Sequence, residues 1–399
     1  MRELFSLFYR RLARVDLRFE RYLAKEINWN ARVVGIMGAR GAGKTTLLLQ
    51  HILREFGKTP SIVLYVSLDH LYFTTHTLLE LAEEFYKNGG LYLYLDEVHR
   101  YSNWSAELKQ IYDNYPDMKV VFTGSSLLQI ETGEADLSRR ATMYHLYGMS
   151  FREFLELENG IALPSYDLAT ILGNHASIAA DIAPRVRLLP AFQNYLKYGY
   201  YPFFIEDKEA YPQKLLATFN QIIEQDLPAV VDIEYTTTQR IKKLFALIAE
   251  LVPLVPNISA LSRDLNTTRL SLLNYLYYLW RARAILMIDK QSIGLKPMAK
   301  PEKIYLGNTN YAYAFAGDKT NVGNVRETFF VSQLQVKHEV AYSQTRADFL
   351  IDDRYTFEVG GANKTTEQIQ GIPDSFLALD NIEQGFGKEI PLWLFGFLY

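Results

Sequence analysis

The stretch Gly38-Ala39-Arg40-Gly41-Ala42-Gly43-Lys44-Thr45 constrains this chain more than any other. It fits G-x-x-x-x-G-K-[ST], a phosphate-binding loop that must join a buried strand to a helix. Its glycines let the backbone curl until successive N–H groups point inward at phosphate oxygens. The helix that follows adds its positive N-terminal end to the same place. Lys44 is expected to reach the β- and γ-phosphates of a nucleotide, Thr45 to bring a hydroxyl to Mg²⁺, and Thr46 to stand with the loop among the nucleotide-binding residues. The flanks agree with this. Ala31 to Met37 is an apolar run entering the loop, and Leu47, Leu48, Ile52, Leu53 and Phe56 repeat at helical spacing after it.

Binding a nucleotide is not hydrolysing it, and the second motif bears on hydrolysis. Leu91 to Leu95 is apolar throughout and ends in Asp96-Glu97. A run apolar on both faces is what a central strand of a parallel sheet requires. Asp96 at its carboxyl end can hold Mg²⁺, and Glu97 can polarise the attacking water. The adjacent acids favour the ATPase branch with a catalytic glutamate over a GTPase or a nucleotide kinase. Further strands are expected over Ser61 to Ser67, Lys119 to Gly124 and Met143 to Tyr147. With intervening helices they predict an α/β fold, a parallel sheet covered on both faces. The ligand then sits at the carboxyl ends of the strands. Ser125 is the first choice for a polar residue near the γ-phosphate, with Thr123 and Ser126 next. Arg139 and Arg140 are candidates to stabilise transferring charge, in their own chain or in a neighbour's. His99 and Arg100 read as helix-start residues.

At 399 residues the chain has room for two or three domains, and 49% apolar content is enough to build their cores. It contains no cysteine, which excludes thiol chemistry and fits a reducing cytoplasm. Its apolar runs are too short for a membrane span. Charge is uneven. Residues 239–303 carry eleven basic and four acidic side chains, whereas residues 304–399 carry seven and twelve. The expected division is an ATPase core over 1–150, a helical lid over 151–235, a winged helix over 236–303 and an α/β domain over 304–399.

The winged-helix expectation rests on helical patterns over Gln239–Leu251, Ala260–Leu265 and Arg269–Arg281, then a strand pair over Ala284–Ile288 and Lys303–Leu306. Arg269, Asn274, Tyr278 and Arg281 are candidates to face a duplex DNA groove, with Lys290 and Lys296 over phosphates. The alternative is a small helical domain for packing or protein contacts. Further on, Asp348 and Glu358 fall on two strands joined by Asp352-Asp353-Arg354, and Glu327 lies on a helical pattern before them. These acids could share a divalent metal. A nuclease of this type needs a lysine two residues after the second acid, where this chain has Gly360. The nearest lysine is Lys364. The closing run Pro391 to Tyr399 is apolar enough to be a buried strand.

GARGAGKT, LDEVHR, FTGSS, LSRR, KYGYYP, RETFFVSQL, RADFLI and FEV occur in this order. The chain thereby resembles a large prokaryotic family of AAA-type ATPases related to origin-recognition and archaeal ATPases, whose C-terminal domain looks like a restriction-endonuclease fold. The resemblance implies ATP and Mg²⁺ as ligands, with Lys44, Thr45, Asp96 and Glu97 in the roles above and Arg139 or Arg140 as the charge-stabilising arginine. The resulting expectation is a nucleotide-driven switch acting on DNA or a protein partner. The alternatives are an ATP-gated nuclease, weakened by Gly360, and a scaffold that holds ATP or ADP without turnover.

Overall fold

The computed structural model describes residues 1–127, 139–290 and 300–399. The chain divides into two compact units, Met1–Gly148 with Gln221–Ile233, and Met149–Asn220 with Glu234–Tyr399.

The first unit opens with helix α1 (Arg2–Leu12) and is built on a sheet of strands β1 (Val33–Gly38), β2 (Val63–Ser67), β3 (Tyr92–Asp96), β4 (Lys119–Ser125) and β5 (Thr142–Leu146). All neighbours run parallel, in the order β2-β3-β4-β1-β5. The expected parallel sheet is present. Strands β1 and β2 are buried along their whole length, which is why their sequences are apolar on both faces. Helices α2 (Lys44–Phe56), α3 (Leu78–Lys87) and α4 (Trp104–Asn114) form the crossovers. Helix α2 buries Leu47, Leu48 and Ile52. Helix α3 begins at a capping box in which Thr77 and Glu80 satisfy each other's backbone N–H groups. Register fixes the direction of the site: Gly38 of β1 lies opposite Ser125 of β4 and Leu146 of β5. The carboxyl ends of these strands therefore meet at the glycine-rich loop.

The second unit starts with helices α5 (Phe151–Asn159), α6 (Leu168–Ile182), α7 (Leu188–Tyr198) and α8 (Tyr211–Gln221). Residues 149–220 group with 234–399 and not with the five-stranded parallel sheet, which differs from the separate lid expected over 151–235. Helix α6 has no counterpart in the sequence reading, because small residues dilute its apolar face. Next come α9 (Tyr235–Leu251), α10 (Ile258–Asp264) and α11 (Arg269–Arg281). An antiparallel pair follows, β6 (Ile285–Ile288) with β7 (Lys303–Leu306). The boundary expected at 303/304 thus falls inside a strand.

After helices α12 (Thr309–Ala316) and α13 (Val322–Leu334) comes a mixed sheet, β8 (Val340–Tyr342), β9 (Phe349–Ile351), β10 (Tyr355–Gly361), β11 (Ser375–Asp380) and β12 (Glu389–Pro391). Its order is β12-β11-β10-β9-β8. Asp352 and Asp353 turn β9 into β10 with φ of 51° and 53°, the left-handed pair that a tight hairpin requires. The closing run is not the strand expected over 391–399. Only Glu389–Pro391 pairs, and Leu392–Phe397 coils into a buried 3₁₀ turn. The carbonyl of Tyr399 accepts from Ser150 Oγ and Arg152 Nε, both at 2.9 Å. Burial explains the run's composition equally well in either conformation. Among the described residues no helix is long and apolar enough to cross a membrane.

Candidate functional site

The loop after β1 needs its glycines. Gly41 and Gly43 have φ of 83° and 98°, where a side chain would be strained. A Cβ on Gly38 would lie 2.4 Å from the Leu146 carbonyl oxygen. Gly43 caps α2 without a side-chain acceptor. Beneath the loop, buried Arg21 donates to the carbonyls of Ala42 and Tyr147. Lys44 is buried, and its ammonium donates to the carbonyls of Gly38 at 2.8 Å and Ala39 at 3.2 Å.

The two motifs meet at Asp96. Thr45 Oγ1 donates to Asp96 Oδ2 at 2.7 Å. Tyr65 OH donates to the same oxygen at 2.7 Å, and Thr123 Oγ1 donates to Oδ1. Burial, then the Asp96 carboxylate, push the Tyr65 phenol well above its ordinary range, so it remains a donor. Arg11 in turn donates to Tyr65 OH at 2.9 Å. A carboxylate and a hydroxyl in contact beside a phosphate loop are the hard oxygen donors that Mg²⁺ takes from protein, with phosphate and water completing the shell. The residues present therefore fit that ion.

Glu97 follows in the left-handed region, with φ of 55°. Such a conformation is costly for a glutamate and persists where its surroundings enforce it. Its N–H donates to Thr123 Oγ1 at 3.2 Å, so one threonine fixes both acids. Ser125, the first choice from sequence, is buried at the carboxyl end of the central strand β4, where its hydroxyl accepts from Leu127 N at 3.3 Å. Thr123 is the residue that touches the acids.

Arg139 and Arg140 lie elsewhere. They precede β5, whose Thr142 is opposite Val34, four residues before the Gly38–Leu146 pair. Four residues of strand span about 13 Å. Both arginines are at the amino end of the sheet, away from their own phosphate loop, and Arg140 pairs with Asp113 at 3.4 Å.

Asp226, His99 and Arg100, to which the sequence gives no part in the chemistry, stand at the site. Asp226, from the stretch Gln221–Ile233, is almost wholly buried and accepts from Arg100 Nη2 at 2.6 Å. Arg40 Nη1 lies 3.4 Å from both its oxygens. His99 Nε2 lies 3.4 Å from Glu97 Oε2 and 3.8 Å from Asp226 Oδ1. Burial alone would raise the Asp226 carboxyl, but His99, Arg40 and Arg100 outweigh it and hold the group below its ordinary value. No local signal links residue 226 to a loop at 38–45.

In the second unit, Arg269 is exposed at the start of α11, and Asn274, Tyr278 and Arg281 are half-buried along it. Lys290 is exposed and pairs with Glu302 at 3.2 Å, whereas Lys296 lies outside the described residues. Asp348 Oδ2 accepts from Val359 N at 3.0 Å, which places it beside Glu358 as expected. Glu327 accepts from Tyr305 OH at 2.7 Å. Burial, then Asp348, push the Glu327 carboxyl above its ordinary value, and burial raises Glu358 against the pull of Lys364. The lysine absent at 360 is supplied from 364. Its stem covers Gly360, where a Cβ would lie 2.8 Å from Lys364 Cβ, and its Nζ sits 2.5 Å from Glu358 Oε1. Among the described residues no group of three or more His, Cys, Asp or Glu is gathered to hold an ion.

Residues 30–155 match the family profile described as an AAA domain. An uncharacterized protein of Methanocaldococcus jannaschii is 29% identical over 290 residues, covering 69% of this chain and 61% of that protein. Two solved structures match at low similarity. A Walker-type ATPase of Pyrococcus abyssi has a TM-score of 0.39 and 13% identity, over 75% of this chain and 99% of that one. The ORC1 protein of Aeropyrum pernix, in complex with DNA, has a TM-score of 0.33 and 14% identity, over 79% and 92%. The AAA match covers the phosphate loop, the acid pair and all five strands of the first sheet, so over these residues the chain is similar to an AAA domain.

Proposed function

We propose that this chain is a Mg²⁺-dependent ATPase whose nucleotide state switches its engagement with DNA or a protein partner. The observation that carries the reading is the 2.7 Å contact between Thr45 Oγ1 and Asp96 Oδ2, with Glu97 next to it in an enforced backbone conformation. Lys44 binds the β- and γ-phosphates, and Thr45 with Asp96 holds the ion. Mg²⁺, when bound, neutralises charge on the phosphates. Glu97 orients and polarises the attacking water, and Thr123 keeps the acid pair in place. The acid pair favours ATP over GTP by analogy only.

For the partner, the basic segment 239–303 and the exposed Arg269 favour duplex DNA. Three helices followed by an antiparallel pair suit a winged helix. Phosphate release from the purified chain with ATP and Mg²⁺, with and without duplex DNA, tests both parts. DNA-stimulated release supports the switch on DNA. DNA-indifferent turnover moves the proposal to a protein partner, and nucleotide retained without turnover leaves a scaffold.

A second reading, cleavage of nucleic acid by the second unit, draws on Lys364, which stands against Glu358 despite Gly360. Supercoil nicking by wild type that Asp348→Ala abolishes would support it. Intact plasmid would remove it.

A further inference from the structure

Asp226 is the meeting point of three side chains, each from a nucleotide motif. Arg40 belongs to the phosphate loop, and His99 and Arg100 follow Asp96-Glu97 after Val98. The carboxylate is 1% exposed and takes its shortest contact, 2.6 Å, from Arg100. His99 is equally buried, and its Nε2 makes no hydrogen bond of good geometry with either Glu97 or Asp226. The ring therefore stands between two carboxylates that compete for one donor. Asp226 closes a π-helical turn, Ile222–Asp226, a local distortion that recurs at functional sites. Leu227 is fully buried beside it, and Val230 packs against the apolar core of the first unit. The stretch is continuous in the chain with α8 before it and α9 after it.

We propose that Asp226 is a positioning residue that couples docking of segment 221–233 to the triphosphate, the two events opposing each other. The proposal rests on the ATPase reading. A triphosphate on the glycine-rich loop brings several negative charges to the backbone that carries Arg40. Arg40 and Arg100 are then shared between the phosphates and Asp226, and the two anions repel. Their interaction is strong because the site is largely sheltered from water. Linkage makes the effect reciprocal: if the triphosphate loosens docking of the segment, docking weakens the triphosphate by the same factor, so undocking the segment by removing the charge of Asp226 is expected to tighten it. Moving Asp226 also leaves His99 to Glu97 alone, so the catalytic acid is affected by the same event. Because the segment is covalently continuous with helices of the second unit, its release passes to them through the backbone.

Hydrogen–deuterium exchange on the full chain tests this without reading activity. Glu97→Gln, saturated with ATP and Mg²⁺, is expected to exchange amides in 221–233 at least about fivefold faster than without nucleotide. Asp226→Asn, the isosteric neutral variant, is expected to exchange fast throughout and to bind a fluorescent ATP analogue about five- to fiftyfold tighter, with ADP affected less. Should Asp226→Asn fail to fold, Arg100→Ala removes the shortest arm and is expected to speed exchange in the same segment without nucleotide. If nucleotide saturates the site while exchange in 221–233 stays constant, the coupling is overturned and the ATPase reading stands. Wild-type exchange in Arg100→Ala also overturns the coupling. If no nucleotide binds, the ATPase reading falls and the coupling with it.

Discussion

Thr123 Oγ1 donates to Asp96 Oδ1 and accepts from the N–H of Glu97 at 3.2 Å. One hydroxyl on β4 thus sets the positions of Asp96, at the end of β3, and of Glu97 after it, the two acids proposed to hold the ion and to polarise the water. Thr123→Val keeps the shape and removes both bonds. It is expected to lower kcat at least about tenfold, since small misplacements of catalytic groups cost that much or more, with nucleotide affinity within about threefold. Steady-state kinetics beside a nucleotide titration checks this. Equal loss of affinity and turnover would mean that Thr123 serves the fold of the loop.

The Asp226 carboxyl is held below its ordinary value by His99, Arg40 and Arg100, against the effect of burial. A group depressed in the folded state adds stability above its unfolded pKa, near about 3.9, and loses it as pH falls through the lower folded value. Wild type is therefore expected to lose this contribution only below about pH 4. Asp226→Asn should be less stable by about 1–3 kcal/mol at neutral pH, with a shallower acid limb. Melting temperatures between about pH 3 and 7 show it. Parallel curves for the two proteins would contradict it.

Glu327 carries the opposite cost. Its carboxyl is raised by burial and by Asp348, so its ionised form weakens the fold once pH rises above the ordinary carboxyl range. Glu327→Gln keeps an acceptor for Tyr305 and removes the charge. It is expected to raise the melting temperature by a few degrees at neutral pH, on the order of 1 kcal/mol. An unchanged or lower value would mean that Lys303, 3.9 Å away, and Lys364 already offset the charge.

Arg269→Ala with Arg281→Ala is expected to weaken duplex DNA binding and to flatten its salt dependence, because each arginine withdrawn from a phosphate leaves about one counterion on the duplex. Filter binding across a salt series measures the slope. Salt-insensitive binding by wild type would remove DNA as the partner.

The loop, the acid pair and the parallel sheet are legible in the sequence because each is a local pattern: glycines where φ is positive, and apolar runs ending in acids. Asp226, Arg21 and Tyr65 are not, since each reaches the site through the fold from a segment that carries no motif. Arg139 and Arg140 lie at the amino end of β5, whereas the phosphate loop lies at the carboxyl ends of the strands. Every strand of a parallel sheet presents its carboxyl end to the site, and these residues precede theirs. Position 360 shows the converse. A lysine missing from the expected spacing is supplied four residues on, because Gly360 leaves room for the Lys364 stem.

The central claim is that the acid pair on β3 turns over a nucleotide held by the loop on β1. It is tested most directly by measuring phosphate release and bound nucleotide together in wild type, Glu97→Gln and Lys44→Ala. Wild type should bind ATP and release phosphate. Glu97→Gln should bind as tightly and turn over at least about tenfold more slowly, and Lys44→Ala should lose binding. Full turnover by Glu97→Gln, or unchanged affinity in Lys44→Ala, would contradict the account.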